Sequence, residues 1–133
     1  MTYRSALPVS NGFAPAGLLH WLVMPDIPIE ISPAEVRARI DAGEALRLID
    51  VREIPEHRIC RIEGARLLPM NSIPQHLQEL DTDGPALVVF CHHGVRSLAV
   101  VDWLRRHGVA NCQSMAGGID LWSSQIDPSV PRY

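Results

Sequence analysis

Short apolar runs separated by segments of helical period organise this chain. Leu46-Arg47-Leu48-Ile49-Asp50, Gly64 to Pro69, Ala86-Leu87-Val88-Val89-Phe90 and Val109 to Met115 each have the length and composition of a strand, and Ile27 to Ile31 is a shorter candidate. Ser32-Pro33-Ala34-Glu35 is a capping box with proline at the first helical position; it predicts a helix to about Ala42, stopped at Gly43. Ser72 to Gln75 repeats the capping pattern and predicts a second helix through Leu80. A helical turn is expected near Pro55-Glu56-His57, followed by a surface loop. Leu98 to Leu104 predicts a helix that ends at His107-Gly108, and Ala116-Gly117-Gly118 leads into a short helix at Ile119 to Trp122. Asp81 to Pro85 is a turn cluster. Strands that alternate with helices imply right-handed crossovers, hence an α/β fold with a mostly parallel sheet and helices on both faces.

The two ends read differently. Residues 1–25 carry Pro8, Gly12, Pro15, Gly17 and Pro25 and are expected to be an irregular extension; residues 128–133 are expected to be an irregular tail, leaving 26–127 as one domain. The apolar stretch Ala16 to Met24 is too short to cross a bilayer, which takes about 20 apolar residues, and is interrupted by His20. Met24-Pro25-Asp26 is a poor small-residue cleavage site, so this turn is expected to dock on the domain. A net charge of −3 gives no attraction to nucleic acid or to an anionic membrane, and neither is expected as a partner. All 12 basic residues are arginine, which excludes lysine Schiff-base chemistry. The 3 cysteines have no paired spacing; they make no disulfide framework and fit a reducing, cytoplasmic setting.

One cysteine stands where chemistry is expected. Cys91 follows the strand run ending at Phe90, and Cys91-His92-His93-Gly94-Val95-Arg96-Ser97 forms a short loop that opens a helix. The carboxyl end of a strand in an open α/β sheet is where ligands bind. Backbone N–H groups and the helix dipole there favour an anion, and so a thiolate. Arg96 adds a permanent positive charge, Ser97 a hydroxyl donor that can cap the helix, and Gly94 the backbone freedom of a tight turn. The strand-end position is expected to expose the sulfur. Such a loop suits attack on a sulfane sulfur, attack on a phosphate ester, or reduction of an oxyanion. Four residues separate Cys91 from Arg96, against five in the cysteine phosphatase signature, and the shorter loop makes a smaller cradle. His92 and His93 either tune charge and proton transfer or face solvent; as adjacent residues without further ligands they are not expected to hold a metal. Asp50 and Arg52 read as a salt-linked strand end near the loop, Cys60 as an incidental surface cysteine in preference to a resolving thiol, and Cys112 as core.

Together these segments resemble the rhodanese family of sulfurtransferases. The Cys91-to-Ser97 loop is similar to the family's active-site loop, Asp50-Val51-Arg52 to its Asp-Val-Arg element, and Gly117-Gly118 with Trp122 to its Gly-Gly…Trp motif. Glu56, Ile62, Gly64 and Ala65 fall where the family carries the same residues, whereas Cys60-Arg61 replaces the usual Gly-His and His57 the usual aromatic. The resemblance covers about residues 27–125 and implies a three-layer α/β/α domain with a five-stranded parallel sheet. It implies Cys91 as nucleophile with Arg96, and a substrate cradle of His92, His93, Gly94, Val95, Arg96 and Ser97. It further implies a persulfide on Cys91, small-molecule or protein sulfur donors and acceptors as partners, and no metal or organic cofactor. A non-catalytic binding module, or a phosphatase or arsenate reductase on the same fold, is the alternative.

Overall fold

Five short parallel strands carry the molecule: β1 (Glu30–Ile31), β2 (Arg47–Asp50), β3 (Arg66–Leu67), β4 (Leu87–Phe90) and β5 (Cys112–Met115). They pair in the order β1-β5-β4-β2-β3, every pairing parallel. The structure is a computed structural model and describes residues 27–81 and 83–133. The extension expected over residues 1–25, with its apolar turn, lies outside the described residues.

Helices cover both faces, as the alternation of elements required. They are α1 (Pro33–Asp41), α2 (Ile54–Ile59), α3 (Leu77–Leu80), α4 (Val95–Arg106) and α5 (Gly118–Gln125). The side chains of β4 alternate between two cores. Leu87 and Val89 pack with Val100, Val101 and Leu104 of α4 and with Ile73 and Leu80. Val88 and Phe90 pack with Val36 of α1 and with Ile119 and Trp122 of α5. All four β4 side chains are buried. At ~1.5–3 kcal/mol for each large apolar side chain, this burial fixes the strand that delivers Cys91.

The Ser32 cap forms as the capping box predicts, with Glu35 N–H donating to Ser32 Oγ at 3.1 Å. The second capping pattern does not. Met70–His76 is a 3-10 helix, and only Leu77–Leu80 is α-helical. Pro74 has no N–H to continue an α ladder, and Ser72 Oγ donates to the Pro69 carbonyl at 2.7 Å instead of capping.

Topology places the functional loops. From β2 the chain runs outward to β3, then returns to β4 on the other side of β2. The order therefore reverses between β2 and β4, and the crevice at their carboxyl ends is where such sheets bind ligands. Val51-Arg52 leaves one strand there and the Cys91 loop leaves the other. The start of α5 closes the crevice from beneath. Ile119 N–H donates to the Cys91 carbonyl at 2.9 Å and Asp120 N–H to the His92 carbonyl at 3.1 Å. Gly118, at φ 60°, makes this approach possible: a Cβ there would overlap the carbonyl oxygens of Cys91 and His92. We expect Gly118→Ala to lower stability by at least about 2 kcal/mol in urea denaturation, through backbone strain plus the displaced loop. An unchanged denaturation midpoint would show that the loop yields freely.

Candidate active site

Cys91 lies one residue past β4, and its side chain is 1% exposed. Two backbone donors converge on its sulfur, Gly94 N–H at 3.1 Å and Ser97 N–H at 3.4 Å. The second belongs to the first turn of α4, where N–H groups have no helical acceptor. The sulfur therefore takes the place of an anion at a helix N-terminus. Burial corrects the expectation of an exposed strand-end sulfur. The chain reverses at Gly94, φ 102°, and wraps the loop backbone around Sγ.

Ser97 does not cap the helix; Gly94 holds that position. Its hydroxyl instead lies 3.5 Å from Cys91 Sγ, 3.3 Å from the Gly94 carbonyl and 2.8 Å from Ser114 Oγ. Both serines are fully buried. A thiol at Cys91 can donate to Ser97 Oγ; a thiolate can instead accept from that hydroxyl.

Arg96 carries its charge in an ion pair with α2. Its Nη1 and Nη2 donate to Glu56 Oε2 and Oε1 at 2.8 and 2.9 Å, a bidentate pair that ties α2 to the loop. This uses two of the five guanidinium N–H groups, leaving three for a ligand. The Arg96 pair, foremost, holds the Glu56 carboxyl down at about 2. Val95 is 77% exposed, so it contributes backbone to the loop while its side chain faces solvent.

Behind this pair lies a second, fully buried one. Arg52 Nε and Nη2 donate to the two Asp50 carboxylate oxygens at 3.0 and 2.8 Å. Arg52 also donates to the carbonyls of Cys60 at 2.7 Å and Glu56 at 3.2 Å. Two buried charges persist because nearly every donor has an acceptor. Cys60 is buried, 5% exposed, and packs in the α1–α5 core, which corrects its reading as a surface cysteine. The chain turns inward after α2 so that its carbonyl can meet Arg52. Cys112 lies in the core on β5, where burial pushes its thiol up to about 11.

His92 and His93 diverge in environment. His92 Nε2 is buried and has no hydrogen-bond partner, and burial, then the His93 charge, lowers the His92 pKa. His93 is 61% exposed, with Nε2 3.9 Å from Asp120 Oδ2. Ligand atoms of His92, His93 and Asp120 lie within 4.8 Å of one another, close enough in geometry for a metal ion. Arg132 meets the Asp120 carboxylate at 2.9 and 3.1 Å and opposes a cation there.

The tail supplies a residue that the sequence reading did not identify. Tyr133 OH donates to Glu56 Oε1 at 2.9 Å and accepts from Arg52 Nη1 at 3.0 Å. Its ring stacks on His92 with centroids 3.8 Å apart and planes 4° from parallel. The available signal was Asp127-Pro128-Ser129, a turn, followed by Val130 and Tyr133 as large side chains in a short tail.

Residues 32–125 match the rhodanese-like domain family. The chain belongs to this family. Putative sulfurtransferase YtwF of Bacillus subtilis is 35% identical over 99 residues, 74% of this chain and 94% of its own. The probable adenylyltransferase/sulfurtransferase MoeZ of Mycobacterium tuberculosis is 36% identical over 105 residues, 77% of this chain but 26% of MoeZ. The chain thus spans about a quarter of the length of MoeZ and of the maize relatives. Among solved structures, SSP1007 of Staphylococcus saprophyticus superposes with a TM-score of 0.68 at 30% identity, covering 79% of this chain and 100% of that one. The human single domain sulfurtransferase TSTD1 gives 0.67 at 26% identity, covering 74% and 98%. The five-stranded parallel α/β architecture is the one the motif resemblance implied.

Glu56 gives the site a signature in acid. Its carboxyl is held at about 2 in the folded protein against an ordinary 4.5, so the fold favours the ionised form. That stabilisation is complete above pH ~4.5 and is lost as pH falls towards ~2. Solvent screening of a pair this close to the surface keeps it to about 1–2 kcal/mol. We expect Glu56→Gln to flatten the fall in stability between pH 5 and 2, measured by urea denaturation at stepped pH. A variant with the wild-type slope would contradict the pairing.

Proposed function

We propose that the protein is a cytoplasmic sulfurtransferase that carries a sulfane sulfur from thiosulfate or a persulfide donor to a thiophilic acceptor, through a persulfide on Cys91. The observation that carries this reading is the Cys91 sulfur held by the Gly94 and Ser97 N–H groups at the start of α4. Donors of this kind favour the thiolate, the nucleophilic form. Membership of the rhodanese-like family, with relatives named as sulfurtransferases, supports the same chemistry. The α/β domain has no helix among its described residues long and apolar enough to cross a membrane.

The steps balance without an added oxidant. The Cys91 thiolate attacks the outer sulfur of thiosulfate; an S–S bond forms on Cys91, the S–S bond of the donor breaks, and sulfite leaves with its electron pair. An acceptor nucleophile, cyanide or a thiolate, then attacks the terminal sulfur. The persulfide bond breaks and its electron pair returns to Cys91 Sγ. Donor, intermediate and acceptor are anions throughout, so neither step demands a general base, a metal or an organic cofactor. Burial, foremost, lowers the His92 pKa and so disfavours a charged imidazole beside the sulfur. Arg96 retains three N–H groups for an anionic donor once Glu56 has taken two. Four loop residues between Cys91 and Arg96 favour a single sulfur over a tetrahedral phosphate.

Steady-state turnover of thiosulfate with cyanide tests the assignment. We expect Cys91→Ser to abolish it, since a serine hydroxyl is scarcely ionised at neutral pH and forms no stable sulfur adduct. Cys60→Ser and Cys112→Ser should keep turnover. Activity surviving in the Cys91 variant would exclude the mechanism. Inactivity of the wild-type protein with every sulfane donor would leave a binding module on this fold, and phosphate-ester hydrolysis alone would favour the phosphatase alternative.

A further inference from the structure

We infer that Tyr133 is a positioning residue of the sulfur-transfer site, holding the Glu56–Arg96 pair and the His92 ring beside Cys91. The inference rests on the sulfur-transfer reading above. Tyr133 lies beyond residue 125, where the match to the rhodanese-like family ends, so the family's own pattern does not account for it.

Three contacts converge on this side chain. Its hydroxyl sits between Arg52 and Glu56, accepting from one at 3.0 Å and donating to the other at 2.9 Å. Arg52 is tightly held: fully buried, paired with Asp50 and bound to the Cys60 carbonyl. Glu56 and Arg96 are 21% and 34% exposed, and an ion pair so close to water is a weak restraint by itself. The phenol therefore transmits the rigidity of the buried pair to the outer one. Burial, foremost, raises the Tyr133 pKa to about 12, so the phenol keeps its proton and remains a donor to Glu56 at any working pH. The ring serves the other wall of the loop. His92 follows Cys91 directly, and both Tyr133 and His93 place their rings 3.8 Å from it.

The tail is anchored well enough for these contacts to be built rather than incidental. Val130 is buried in the α1–α5 core, and the Ser123 hydroxyl donates to its carbonyl. Arg132 pairs with Asp120, whose own N–H holds the His92 carbonyl. Tyr133 is thus delivered from the same helix start that supports the active-site loop.

The test compares the full chain with Tyr133→Phe, which keeps the ring, and Tyr133→Leu, which keeps neither ring nor hydroxyl. Thiosulfate–cyanide kinetics and the NMR shifts of the His92 ring protons are read together. Stacking on Tyr133 should move those protons upfield in the wild type and in Tyr133→Phe, and Tyr133→Leu should release them. We expect Tyr133→Leu to lose about tenfold or more in kcat/KM while folded. Tyr133→Phe should recover part of this loss, with its remaining defect in KM, because Arg96 meets the donor. A Leu variant within twofold of wild type, or a Phe variant no better than Leu, overturns the positioning role. Unshifted His92 protons in the wild type overturn the stacking itself. A wild type that takes up no sulfur while its His92 protons are shifted removes the sulfur-transfer reading, and the proposed role with it, but leaves the stacking geometry intact.

Discussion

Two backbone N–H groups aimed at one sulfur set the requirements for the rest of this structure. Gly94 and Ser97 donate to Cys91 Sγ only if the loop reverses within three residues and α4 starts at once. The reversal needs the positive φ of Gly94. The loop's carbonyls, turned the other way, need donors of their own, and the start of α5 provides them through Ile119 and Asp120. That docking in turn needs Gly118 without a side chain. Cys91 is therefore placed by β4 before it and by α5 beneath it, and its own helix supplies the positive potential.

The charges around the loop form an ordered series. Asp50 fixes Arg52 in the interior, Tyr133 bridges Arg52 to Glu56, and Glu56 holds Arg96 at the end of the loop. Each carboxylate meets a guanidinium, so the site does not rest on one bare cation. Its positive potential at the sulfur comes from oriented N–H groups, which cost no reorganisation as charge moves onto or off Sγ. This suits a reaction whose intermediate shifts negative charge by a single atom.

Much of this was legible in the residues. The run Leu87 to Phe90 announced a buried strand, Ser32 to Glu35 a capped helix, and Cys91 to Ser97 a strand–loop–helix turn with a cysteine at the strand end. Local chemistry decides such features, and local chemistry is what a sequence displays. Where non-local contacts decide, the reading failed. Cys60 looked like a surface residue because nothing nearby in sequence shows that Arg52 draws its carbonyl inward. Arg96 showed its charge but not its partner, because Glu56 lies on another element. Residues 128–133 are irregular as expected, but no local signal showed that the turn at Asp127 returns Tyr133 to the site. Ser72 misled for a local reason: the turn starts earlier, at Met70, so Ser72 lies inside it with its hydroxyl on the Pro69 carbonyl, and Pro74 has no N–H for an α ladder begun there.

The most direct test is the mass of the intact protein after exposure to thiosulfate in the absence of an acceptor. A gain of one sulfur atom, mapped to Cys91 and removed by cyanide, is the result the mechanism requires. An unchanged mass with thiosulfate and with a persulfide donor, or a sulfur carried on Cys60 or Cys112 instead, would contradict it.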